Sequence, residues 1–596
     1  TAATLPGPPV LAKASRPTLR HAGEPFDLRM KGEDRWGNPS DLCDATYTLR
    51  ANMAVDGLPE TVTFETGGFA QILDGLEVTG DGDLLIELLD GESVVATSNP
   101  CRFVGPQSAE ADLLPYWGDL HGQSEETIGT NSARDFYNFA RDKAFLDVCV
   151  HQGNDFQITE EFWQWLNELS AEFTEDNRFI VFPGWEWSGN TGLGGDRNIL
   201  HMKEGRQIHR SSHALVDDLS DIDTDCNSAN DLFEALKDED CVVFAHIGGR
   251  YADIKIAHDD RIERAVEVHS AWGTFEWLVT DAFEQGYRVG IVSNSDGHKG
   301  RPGASHPGAT KFGAYGGLTC ILAPAFTRAG LMEGLKKRHH YGTTGSRVVL
   351  DTKAVFDSPA ELFSDDPKLG SEGAGVTSEQ TDEAMMGDIL RSGDAEVTFR
   401  IDIRGASPVE RIDIRNGLET VEVFRPYAEA DLGSRIRVLW EGSEYRGRGR
   451  ETVWDGRAEL EGNTFESLAP VNRYNLDKRF DQTAPGRLEW TALTTGGFGG
   501  FDAVLEDAQS GTLKIDTALV QEEIAVKDIG YDELIFANGG IDRRIRIFRL
   551  PDDNPHRAVT LERRIGLADD RDNALYVRVT HEDGHFAWSS PIYIFR

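Results

Sequence analysis

Histidine and carboxylate side chains cluster in the middle of this 596-residue chain. Twelve of its 16 histidines lie between His121 and His340. Their positions follow a rule. His121 follows Asp119-Leu120, His151 follows the apolar run Phe145–Val150, and Glu186 follows Phe179–Phe182. His201 follows Ile199-Leu200, His246 follows Val242–Ala245, Glu267 and His269 close a run that opens at Ala265, and Asp296 and His298 follow Ile291-Val292. Neutral imidazole nitrogen and carboxylate oxygen are the donors that hold divalent transition metals at about 2.0–2.2 Å. More than four such groups exceed the needs of one tetrahedral ion, so a site for two or three ions of Mn, Zn or Fe is expected.

The elements that must position these groups alternate between apolar runs and amphipathic helical stretches from about Tyr116 to Arg347. Ser132, Thr159, Ser228 and Thr327 are placed to cap helices over 133–143, 160–173, 229–237 and 328–338. In 160–173, Phe162, Leu166, Leu169 and Phe173 fall on one face. Repeated strand–helix units predict a parallel sheet, open or closed into a barrel. If a barrel, all strand C-terminal ends converge on one face, and that face carries the site.

The flanks read as β. Phe26, Leu28 and Met30 alternate with polar residues, and Asp90-Gly91 makes a hairpin turn. After residue 348, Val397, Phe399, Ile401 and Ile403 alternate, and Asn416-Gly417 and Asp583-Gly584 mark further turns. The acidic, glycine-rich stretch 371–388 reads as a surface loop. The expected division is 1–108 as an Ig-like β-sandwich, 109–347 as the metal-binding region, and 348–596 as one or two further sandwiches.

Composition excludes other classes. The net charge of −41 disfavours nucleic acid as a partner. No apolar run approaches 18 residues, so no membrane span is expected. The six cysteines form no C-x-x-C pair and are expected to be reduced. The chain opens on Thr1, which leaves room for a removed signal peptide. A cytoplasmic location is slightly favoured over a periplasmic one. His209 and His213 read as surface residues, Asp221, Asp223 and Asp225 as a solvated acidic loop, and Arg446, Arg448 and Arg450 as an exposed one.

Asp119-Leu120-His121-Gly122-Gln123-Ser124 resembles the D-L-H-x-H-[ST] opening of the polymerase-and-histidinol-phosphatase (PHP) superfamily. Ser295-Asp296-Gly297-His298 resembles its closing S-D-x-H motif, Ala245-His246 its internal A-H-P strand end, and Gly184-Trp185-Glu186 the motif of its bridging glutamate. With β flanks, and with Tyr341–Arg347 at the barrel exit, the chain is similar to a widespread bacterial PHP-like family. The resemblance covers about 115–347 in detail. It implies an α/β fold with a distorted (β/α)7 barrel. It also implies metal ligation by His121, Glu186, His246, Asp296 and His298, joined by His151, His201 and His269. The implied chemistry is hydrolysis of a small-molecule phosphate ester by a hydroxide held between metals. His298 would serve catalysis, and an arginine, foremost Arg250 or Arg301 with Arg197 and Arg347 behind them, would neutralise the phosphoryl oxygens. Two departures stand out. Gln123 replaces the second histidine of the opening motif, and His151-Gln-Gly-Asn154-Asp155 replaces a T-D-H motif. Hydrolysis of another ester or amide, and non-catalytic binding of carbohydrate or a partner, are the alternatives. A homo-oligomer is compatible with the sequence.

Overall fold

The computed structural model describes residues 9, 11–15, 17–303, 315–370, 375–447, 450–473 and 475–596. Thr1, Arg448 and the 371–374 part of the acidic stretch lie outside them. The architecture is β-rich, with many sheets. Among the described residues, helices longer than five residues fall between Ala133 and Lys336. The fold is thus more β than the α/β expectation.

The N-terminal strands form three small sheets around Phe26, Leu28, Met30, Val62 and Phe64. The alternation read from the sequence places the buried side of Phe26–Glu33 inward. The Asp90-Gly91 turn joins Ile86–Asp90 to Ser93–Thr97.

In the middle region, Leu114–Asp119, Val148–Val150 and Ile180–Phe182 run parallel. A second sheet holds Gly184–Trp187, Arg197–His201, Cys241–Ala245, Glu263–Ser270 and Gly290–Ser293. Both faces of these strands are covered, as parallel strands require. Val150, Phe182, Val242 and Phe244 point to one core. Cys149, Val181 and Val243 point to another, where Phe136, Phe162, Leu166 and Leu169 of the helices pack. Isolated parallel bridges join Asn154 with Glu186, which lies in the strand Gly184–Trp187, and Gly122 with Gly297. The sheet is not all parallel: Arg197–His201 pairs antiparallel with both neighbours.

The four expected caps form. Ser132, Thr159, Ser228 and Thr327 each accept the backbone N–H three residues on. Ser228 completes a reciprocal capping box with Asp231.

His340–Thr343 pairs with Phe586–Ser589, so one sheet runs from the middle region into the C-terminal one. Within 435–550, two five-stranded sheets face each other. Their core contains Ile436, Val438, Leu488, Phe501, Leu513 and Ile545, and Trp440 stacks on Trp490 with centroids 4.9 Å apart. Ser378–Met385 is a strand paired with Val349–Phe363, which corrects the loop reading of that stretch. The six cysteines are buried and not disulfide-bonded. No helix among the described residues is long and apolar enough to cross a membrane.

Candidate metal centre

Asp119 ties the opening and closing motifs together. Its buried carboxylate accepts the backbone N–H groups of Ser295 at 3.0 Å and Gly303 at 2.8 Å, and more weakly that of His121 at 3.4 Å. Ser295 Oγ donates to the His121 carbonyl at 3.1 Å. Asn294 Oδ1 accepts the Leu120 N–H at 3.0 Å. Asp296 follows with φ of 45°, a left-handed conformation that costs an aspartate energy and that the surrounding bonds sustain.

The ligand atoms converge. His121, Glu186 and His246 each offer one, all within 4.8 Å of one another and all on buried residues. His121 Nε2 lies 3.3 Å from Asp296 Oδ1 and 3.8 Å from Glu186 Oε2, and His246 Nε2 lies 3.3 Å from Asp296 Oδ2. The opposite edges of both rings face Glu267. His246 Nδ1 is 2.5 Å from its Oε2, and His121 Nδ1 is 3.5 Å from its Oε1. A carboxylate on Nδ1 fixes the tautomer and leaves Nε2 as the donor, the arrangement that orients metal-binding histidines. Glu267 is in turn held by Asn294 Nδ2 at 2.8 Å.

The residues fit a cation. His121 Nε2 and Asp296 Oδ1 are buried and have no hydrogen-bond partner. Buried polar atoms are normally partnered, and an ion between them is one way to satisfy both. Negative charge is also crowded here. Burial, then the nearby Glu186, push Asp196 well above the usual carboxylate range. Burial is the largest influence on His246 and would lower its pKa, but Glu267 and Asp296 together outweigh it and the imidazole rises to about 10 without a metal. His121 rises for the same reason, with Asp296 its strongest partner.

His298 is the open member of the group. Its side chain is 26% exposed, against 3% for Asp296. Its Nε2 is 3.7 Å from Asp296 Oδ1 and 3.4 Å from Gln123 Nε2. Gln123 presents its amide nitrogen to Glu186 Oε2 at 3.4 Å, while its oxygen accepts from Thr127 at 3.0 Å. In this geometry Gln123 braces Glu186, together with Asn154 at 2.6 Å.

Four expected site residues lie elsewhere. His201 ends the antiparallel strand and pairs with Cys241, which begins its neighbour, so it sits at the opposite end from the cluster, stacked on Trp185. His151 has Nδ1 against the Gly153 N–H and Nε2 against Ser124. His269 is held between Thr274 Oγ1 at 2.8 Å and the Tyr315 carbonyl at 2.7 Å. Arg301 bonds Asn38 of the N-terminal region. Arg347 likewise serves the carbonyls of Ala144 and Phe145, and Arg197 is buried on Glu263. Arg250 alone of the candidate arginines stands beside the cluster. Its Nε and backbone N–H bond Asp196 at 2.9 and 3.1 Å, and its guanidinium lies over Phe156.

Sequence reasoning missed Asp196 and Asn198, the latter 3.1 Å from His121 Nδ1. They open the antiparallel strand, so its start, not its end, faces the cluster. The polar run Asp196-Arg197-Asn198 before Ile199-Leu200 was the available signal. Two further readings are corrected. His213 is only 3% exposed, clasped at 2.9 Å by both Asp221 and Asp225. Arg446 bonds Asp281, and Arg450 is buried over Trp272 and Phe275.

No protein-family model matches the chain. It is similar to uncharacterized proteins of three chlamydiae: 25% identical over 356 residues to one from Chlamydia pneumoniae, 24% over 355 to one from Chlamydia trachomatis, and 25% over 362 to one from Chlamydia muridarum. These matches take in 54–55% of this chain, and the chain spans about half the length (54%) of each relative. Among solved structures, a glycosyl hydrolase family 2 member from Bacteroides cellulosilyticus is 8% identical, with 86% of this chain and 78% of that one covered and a TM-score of 0.16. A β-glucuronidase of the same family gives 7% identity, 90% and 63% coverage and a TM-score of 0.14. At such scores the likeness carries no argument.

Proposed function

We propose that the protein is a metal-dependent hydrolase acting on a small-molecule phosphate ester, and that 115–347 is a distorted PHP-like barrel. The observation that carries this reading is the meeting of His121 Nε2, His246 Nε2, Glu186 and Asp296 at one buried point, from four separate stretches of chain. The matching order of the opening and closing motifs supports it.

His121, Glu186, His246 and Asp296 would hold the first ion. Asp296 would share in a second. When bound, such ions supply Lewis acidity and make water acidic near neutral pH. The chain's own groups do the rest. Glu267 keeps the Nδ1 proton of His246 in place, so that its Nε2 donates a lone pair, while His121 Nδ1 lies between Asn198 Nδ2 at 3.1 Å and Glu267 at 3.5 Å. Asn154 and Gln123 fix Glu186. Arg250, anchored on Asp196, offers its guanidinium to charge developing on the phosphoryl oxygens. His298, the exposed member, is placed to pass a proton to the leaving oxygen.

The test is a panel of p-nitrophenyl phosphate, bis(p-nitrophenyl) phosphate and p-nitrophenyl acetate with the Mn²⁺-loaded protein. Phosphate or phosphoester cleavage that disappears in His121→Ala and Asp296→Asn is expected. Cleavage of the acetate alone would move the assignment to a non-phosphate ester. Turnover unchanged in both variants would refute the proposed centre.

A further inference from the structure

A polar cavity in the C-terminal part shares no residue with the histidine cluster. It encloses about 380 Å³ between the start of the helix Trp277–Gln285 and the C-terminal strands. Five arginines line it: Arg411, Arg415, Arg544, Arg546 and Arg578. That concentration stands out in a chain with 60 basic and 101 acidic residues.

Four of the five are matched by carboxylates. Arg411 bonds Asp413 at 2.5 Å and Glu533 at 2.8 Å. Arg546 bonds Glu441 and Glu533, both at 3.0 Å, and Arg544 also bonds Glu441. Arg578 bonds Asp413 and Glu276. Those four acids are thereby spent, and Glu533 serves Arg425 as well. Of the other acids on the wall, Glu410 is occupied by Arg425 and Arg437, and Asp542 is 75% exposed. Glu276 Oε1 already accepts from both Arg578 and Trp588.

Arg415 is the exception. Its side chain makes no hydrogen bond or ion pair with any described residue, and its Nε is buried without a partner. Its guanidinium lies 5.9 Å from the centre of the Tyr576 ring. The charge of Arg415 is felt by Glu276, but the Oε1 of that carboxylate is already engaged, so the planar fork of Arg415 stays unmet and is shaped for two oxygens of one anion. The lining also includes Phe275, Trp277 and Phe586, which suit the apolar part of a larger molecule. The volume matches a small-molecule site and exceeds what a bare anion fills.

The geometry points to a binding site for a small metabolite that carries a phosphate or carboxylate group, with Arg415 as the residue that grips the oxyanion. This site is independent of the proposed hydrolase centre.

Calorimetric titration of the full-length, EDTA-treated protein with inorganic phosphate, and in parallel with acetate, tests it. One site in the millimolar range or tighter is expected for at least one of the two anions. Arg415→Gln should weaken binding at least tenfold. Arg415→Lys, which keeps the charge and loses the fork, should fall between and serves if the glutamine variant does not fold. His121→Ala should bind as the parent does. The site is refuted if neither anion binds, if Arg415→Gln and Arg415→Lys both bind like the parent, or if binding is lost in His121→Ala and kept in Arg415→Gln. That last result would place the anion at the histidine cluster.

Discussion

His121 Nε2 and Asp296 Oδ1 face each other at 3.3 Å, both buried, with no hydrogen-bond partner for either atom. In the absence of a cation the pair is held by charge alone: the imidazole is driven toward its protonated form and burial is opposed by the surrounding carboxylates. In the proposed centre a divalent ion would take the place of that proton and engage Glu186 and His246 as well.

Metal should therefore stabilise the fold. An ion present at about 100 times its dissociation constant adds about 2.7 kcal/mol. Thermal melts of EDTA-treated protein should shift upward with Mn²⁺ or Zn²⁺, and elemental analysis should find at least one equivalent bound. In His121→Ala both the shift and the bound metal should be lost. A parent protein that gains nothing from any of these ions would remove the basis of the centre.

His201 offers the contrasting case. It lies at the far end of its strand, and neither ring nitrogen has a hydrogen-bond partner. Its contact is the face of Trp185, with centroids 5.1 Å apart. Burial lowers its pKa to about 4, so it is neutral at pH 7. His201→Phe should leave metal content unchanged, and the added ring volume should cost no more than about 1–3 kcal/mol, the range for overpacking. Loss of metal in this variant would place His201 in the centre after all.

Which of these residues could be read in advance follows from the range of the interactions that place them. The caps at Ser132, Thr159, Ser228 and Thr327 act over three residues, so local sequence specifies them. His121, Glu186, His246 and Asp296 were legible because each follows an apolar run. The direction of Arg197–His201 is set by pairing with Gly184–Trp187 and Cys241–Ala245, and nothing in Ile199-Leu200 encodes it. The exchange of His269 for Glu267 has a similar origin. The two have the same strand parity, and a register shift between them turns only Glu267 to the cluster.

The contact between the middle region and the C-terminal sandwich leaves no room at Gly273. Its φ is 143°, and an added Cβ would come within 1.7 Å of the Thr495 carbonyl oxygen. The neighbouring Thr274 N–H donates to that same oxygen at 3.1 Å. Gly273→Ala should cost about 1–3 kcal/mol or more, the range for overpacking, measured by urea denaturation. Stability equal to the parent would mean that this junction opens freely.

The pH dependence of stability should report on His258. Its Nδ1 lies 2.6 Å from Glu263 and its Nε2 2.8 Å from Asp260, so both nitrogens face carboxylates. Burial disfavours the charged ring, but these two partners outweigh it and lift the pKa from 6.5 to about 9. Glu263 also holds the buried Arg197 at 2.7 Å, and Arg197 sits between Asp196 and Asn198 on the strand that faces the cluster. A group whose pKa is raised on folding binds its proton more tightly in the folded state, so stability falls as pH rises through the window. The contribution is complete below about 6.5 and gone above about 9, and its size is about 3 kcal/mol. The parent should therefore exceed His258→Gln by the largest margin at pH 6, and the margin should shrink steadily toward pH 9.5. Urea denaturation at several pH values measures it, and a margin that stays constant would show that folding does not raise the pKa of His258.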